Sequence, residues 1–169
     1  YLYRSAFELG RHLIAYELHQ ILGLLDWFEH TSKTETAVIG VVGYGEGGML
    51  ALYAAALDPR IKVCGISGCF APRENLWQEP IDRNVFGLLE QFGAAELASM
   101  VAPRTLIVQS ARWPHVELPS EGGAPGTLIT PSEELVTNEF ARALALLSPD
   151  GSPSDIAKSL RYHGPPEDS

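Results

Sequence analysis

The chain has 169 residues, 46% of them hydrophobic, which is enough for one domain with a buried core. Its 12 Lys+Arg stand against 21 Asp+Glu, and the resulting charge of −9 argues against nucleic acid or an anionic membrane surface as partner. No stretch of 18 apolar residues occurs, so no membrane span is expected.

Residues 8–30 read as one long amphipathic helix, with Ile14, Leu18, Ile21, Leu22, Leu25 and Phe28 recurring at helical spacing. His12, His19 and His30 lie on the other side. His12 and His19 are two turns apart, too far for the paired ligands of a helical zinc site, and no metal is expected. Residues 31–36 form a polar linker. Residues 37–66 then give strand, glycine turn, helix, strand: a βαβ unit. An apolar run over 37–42 is followed by Gly43-Tyr44-Gly45-Glu46-Gly47-Gly48. A helix over 49–57 stops at Asp58-Pro59, and 61–66 is apolar again. Cys64 and Cys69 read as buried thiols.

Residues 67–79 are a loop with the large aromatics Phe70 and Trp77. Residues 81–92 read as a helix with Val85, Leu88, Leu89 and Phe92 on one face. After Gly93, residues 94–100 add a further turn or two, and 105–109 form a third strand. Residues 113–129 are a long aperiodic loop, the kind that often walls a site. Thr130-Pro131-Ser132-Glu133 starts a helix, with Thr130 as N-cap and Pro131 in its first position. Ser152-Pro153-Ser154-Asp155 starts a short helix ending near Leu160, and a solvated tail follows. The expected organisation is a domain over 1–147, then a short helix and flexible tail over 148–169. Three strands leave sheet edges and helix faces uncovered, so missing strands or a partner are expected to complete the sheet, and the sequence is expected to be a piece of a larger domain.

The glycine turn admits three readings. Gly43, Gly45 and Gly48 fit G-x-G-x-x-G, in which amides at a helix start cradle a pyrophosphate. The acidic residue that should close the next strand is absent, since Ser67, Gly68 and Cys69 stand there, and Glu46 would face the phosphates. Alternatively, Gly43 and Gly47 are the flanking glycines of a nucleophile elbow, G-x-S-x-G, with Gly45 where serine belongs and the Glu46 N–H as oxyanion donor. Third, the turn simply lets a helix and a strand pack closely.

Four segments in order carry a resemblance. Gly10-Arg11-His12-Leu13 with its helix, the turn at 39–48, Ala55-Ala56-Leu57-Asp58-Pro59-Arg60-Ile61-Lys62, and Ala102-Pro103-Arg104-Thr105-Leu106-Ile107-Val108 resemble α/β-hydrolases of the dienelactone hydrolase and acetyl-xylan-esterase-like group. The resemblance covers roughly residues 8–112. It implies an α/β fold: a partial, three-layer αβα hydrolase core with parallel strands and flanking helices. It implies carboxylic-ester chemistry, a small ester, lactone or carbohydrate-like ligand, and no cofactor. It also puts Gly45 at the nucleophile position, where no acyl-enzyme can form. Ser67 is the nearest alternative nucleophile. The family's acid follows the third strand, where Glu117 and Glu121 are the first carboxylates. His163, late in the chain, fits the order nucleophile, acid, base, and His115 sits in the loop. The expectation is a degenerate or non-serine hydrolase. The alternatives are a non-catalytic ligand- or partner-binding domain of the same fold and, further off, a dinucleotide binder.

Overall fold

The apolar run before the glycines becomes β1 (Ile39–Tyr44), and the small residues after it become α3 (Glu46–Leu57), followed by β2 (Ile61–Ser67). This βαβ unit forms one edge of the sheet in the computed structural model, which describes residues 2–32, 38–118, 126–148 and 155–165. Ahead of it lie α1 (Leu2–Glu8) and α2 (Leu13–Thr31). After it come α4 (Ala94–Val101), β3 (Thr105–Gln109), β4 (Val116–Leu118), β5 (Gly126–Leu128), α5 (Glu133–Leu147) and β6 (Leu160–His163).

Four strands pair in the order β1-β2-β3-β6, all parallel. β6 departs from the sequence reading, which had a short helix and a tail there. A 3-10 turn at Ala157–Ser159 leads straight into it, and Leu160 and Tyr162 turn onto the core side beside Leu106 and Val108. Four residues are too few for a period of two to be read, so pairing with β3 decides the conformation. β4 and β5 make a separate antiparallel ribbon inside the stretch expected to be aperiodic.

The long helix expected over 8–30 is α2, which begins only at Leu13; α1 precedes it and shares only Glu8 with the expected span. Gly10, at φ 70°, breaks the chain between α1 and α2, and Phe28 is exposed rather than core-facing. The helix expected over 81–92 is two 3-10 turns, Ile81–Arg83 and Leu88–Glu90, separated by the left-handed Gly87. The N-cap of α5 is Ser132, whose Oγ accepts the Leu135 N–H at 3.4 Å, while Thr130 instead accepts the Trp113 N–H at 2.9 Å.

Helices pack in series, α2 on α3, α3 on α4, α4 on α5. They cover one face of the sheet, where Cys64, Ile66, Leu106, Val108 and Leu160 are buried. On the opposite face Val42 is 82% exposed, and Val63, Gly65 and Ile107 are only half-buried. The fold is therefore a partial αβα core, with one helical layer and the sheet present among the described residues. Two arginines knit the βαβ unit to its neighbours. Arg104 Nη1 donates to the carbonyls of Ala55, Asp58 and Ile61, satisfying the C-terminal end of α3. Arg60 binds Asp58 and reaches Asp26 and Glu29 on α2.

Candidate functional site

Parallel strands end together, and their carboxyl ends are where open α/β sheets hold ligands. Here Tyr44, Ser67, Gln109 and His163 occupy one register row across the four strands. At the first of these ends the chain turns directly from β1 into α3 through Gly45. That residue is buried with φ 58° and ψ −121°, and its carbonyl accepts the Met49 N–H at 3.1 Å to open the helix. Its own N–H donates to the Ser67 carbonyl at 2.9 Å. A positive φ of this kind is strained for any residue but glycine.

The turn also needs closeness. A Cβ on Gly43 would lie 2.1 Å from the Gly47 carbonyl oxygen, and one on Gly48 would lie 2.6 Å from Cys69 Sγ. Gly47, by contrast, has open space around it. So of the two flanking glycines read from the spacing, only Gly43 is required for packing.

Glu46 is the first residue of α3, and its carboxylate is ion-paired to Arg83, a guanidinium only 2% exposed. Burial raises the Glu46 pKa above its ordinary value, with Arg83 opposing the shift. Arg83 Nε also donates to Glu79 at 2.7 Å, and its guanidinium lies over the Trp113 ring, 5.9 Å from the centroid. Arg73, 6% exposed, approaches the same Glu79 at 3.5 Å and Met49 Sδ at 3.4 Å. Two buried arginines and two carboxylates thus balance beneath the turn. The sequence reading missed this cluster, although Glu79 and Arg83 stand four apart, a spacing that signals a pair. Burial pushes the Cys69 thiol beside the turn up to about 12, and Cys64 likewise, so neither is a poised thiolate.

The other candidates are spread out. Ser67 ends β2 and is followed by a bend at Gly68 rather than a helix. Glu117 is exposed on β4, and His115 is exposed just before it. Glu121 lies outside the described residues. His163 ends β6, and its carbonyl accepts the Ser110 N–H at 2.8 Å. It sits three strands from β1, about 14 Å at ordinary strand spacing, beyond the roughly 3 Å reach of a working base. Among the described residues no group of three or more His, Cys, Asp or Glu is placed to hold a metal ion, and no helix is long and apolar enough to cross a membrane.

No protein-family model matches the chain. A curated protein of Bacillus subtilis (strain 168), "Putative hydrolase YtaP", is 29% identical over 110 residues, covering 61% of this chain and 36% of that protein. Among solved structures, a promiscuous CE15 esterase from the marine bacterial metagenome aligns with TM-score 0.60 and 17% identity, covering 91% of this chain and 43% of the other. The glucuronoyl esterase from Solibacter usitatus aligns with TM-score 0.56 and 16% identity, covering 90% and 43%. The chain spans less than half the length of each of these proteins. The likeness identifies the fold, a partial α/β-hydrolase core with its parallel sheet and flanking helices.

Proposed function

We propose that the chain is the central part of an α/β-hydrolase-fold protein of the dienelactone hydrolase and esterase-like group whose elbow lacks its serine. The observation that carries this reading is the backbone of Gly45: a positive φ at a one-residue strand-to-helix turn, with Gly43 pressed against the helix start. Without a side chain at that point the protein is a degenerate or non-serine hydrolase. Its ligand is a small ester, lactone or carbohydrate-like molecule. In this scheme the Glu46 N–H is the oxyanion donor, while Glu117, exposed on β4, and His163, three strands from β1, serve as acid and base only if the rest of the protein brings them to the turn. Exposed Val42 and the edge of β1, unpaired among the described residues, support completion of the sheet by further strands or by a partner.

One observation favours a second reading, a non-catalytic ligand- or partner-binding domain: the carboxylate nearest the turn is already committed to Arg83. A dinucleotide site is less well supported, because that same carboxylate stands in the first turn and Ser67 ends β2 where an acid is needed.

The test uses the natural full-length protein with p-nitrophenyl acetate and a fluorophosphonate probe, any adduct being located by mass spectrometry. Background-level hydrolysis and no adduct are expected. Saturable turnover with a stoichiometric adduct on Ser67 or another serine would sink the proposal.

A further inference from the structure

The space above Gly45 is occupied. A Cβ built on this residue would lie 2.6 Å from Pro114 Cγ, closer than real Cβ contacts come, and 3.1 Å from Pro114 Cδ, which is tight. A long side chain could swing away, whereas a proline ring is closed onto its own backbone and can only repucker in place. The backbone just before that ring is held at two points. The Arg112 carbonyl accepts the Tyr44 hydroxyl at 2.8 Å, and Trp113 N–H donates to Thr130 Oγ1 at 2.9 Å. The Trp113 indole is buried with Ala71 and Leu128 and faces the Arg83 guanidinium. Arg83 in turn grips Glu46, the residue after Gly45. The strap and the turn are thus joined through the Tyr44 hydroxyl on the Arg112 carbonyl and through a buried cation.

We infer that residues 112–114 form a fixed strap whose proline ring plugs the volume a side chain at position 45 would take, so that Gly45 and Pro114 are a matched pair. The inference rests on reading Gly45 as the nucleophile position, but its physical content is an energetic coupling between two residues. Its consequence is that the missing hydroxyl and the closed space belong together. Putting serine back at position 45 does not reopen the turn while Pro114 stays, and the turn serves to anchor the strap that leads into the β4–β5 ribbon.

The test is a double-mutant cycle in the natural full-length protein, read by urea unfolding of wild type, G45A, P114G and G45A/P114G. A residue at φ 58° is strained whatever lies above it, so G45A destabilises in both backgrounds. The plug predicts that it raises the unfolding constant about tenfold more when Pro114 is present than when P114G accompanies it. If G45A fails to fold, recovery of folding in the double variant is the expected result. Effects that add within twofold, or a double variant no better folded than G45A, overturn the inference. A reactive serine elsewhere would remove the functional reading above and leave this coupling intact, so the two can fail separately.

Discussion

At the scale of single residues, the glycines of this chain do different jobs, and substitution distinguishes them. Gly43 has an ordinary backbone but no room: its neighbour is the Gly47 carbonyl, part of the helix start itself. Gly43→Ala is expected to cost about 3 kcal/mol or more, the upper end for overpacking, since backbone must move. Gly23, inside α2, has nothing within 4 Å of its absent Cβ. There, Gly→Ala is expected to stabilise by about 0.5–1 kcal/mol through helix propensity and a less disordered unfolded chain. Urea midpoints at constant slope measure both, and a tolerated Gly43→Ala would mean the turn is slacker than described. The sequence made the turn legible because glycine spacing is local. It gave no sign of Pro114, which reaches Gly45 only through the fold, nor that Gly47 is unneeded for packing.

Between elements, the contact of α4 with α5 turns on one buried acid. Glu139, 4% exposed on α5, accepts the Ala95 N–H at 2.8 Å in the first turn of α4. Glu96 accepts the Gly93 N–H at 2.8 Å, and Arg142 bridges Glu96 and Glu139. A carboxylate against unpaired amides at a helix start is favourable for hydrogen bonding and for the helix dipole alike. Glu139→Ala leaves a buried amide without a partner and is expected to cost about 1–3 kcal/mol. Glu139→Gln keeps an acceptor and is expected to cost less. Thermal unfolding compares them, and equal losses would show that the amide contact contributes little. Long helices such as α3 and α5 were readable from composition and period. The stretch from 81 to 92 was not, because its apolar spacing imitates a helix while Gly87 and the pair of 3-10 turns break it.

For the molecule as a whole, acid should loosen the fold through the ion pairs that brace its helices. Hydrogen bonds from Arg60 hold the Asp58 carboxyl below its ordinary value of 3.8, and hydrogen bonds from Arg142 hold Glu96 below 4.5. A folded pKa below the unfolded one gives stability that is complete above the unfolded value and is lost as pH falls through the folded value. Glu46 runs the other way. Burial raises its pKa, so it favours the fold most when protonated, and that contribution fades as pH rises through the folded value. The expected urea midpoint therefore falls from about pH 4.5 downwards, and D58N/E96Q should flatten that fall; an unchanged slope in the double variant would assign acid sensitivity elsewhere. The overall α/β class was legible because strands and helices alternate along the chain. That only one face of the sheet carries helices among the described residues was not, since face assignment needs the register that pairing alone supplies.

The position of β6 also bears on how the protein is made. β1, β2 and β3 are consecutive, but the strand that covers the outer edge of β3 is completed roughly 50 residues later, about 3–10 s at ordinary rates of synthesis. Throughout that interval the nascent chain carries a bare parallel edge at Thr105–Gln109, next to the apolar Leu106 and Val108. β6 is thus the strand that ends the period in which this edge of a growing chain can pair with its neighbour on the same message.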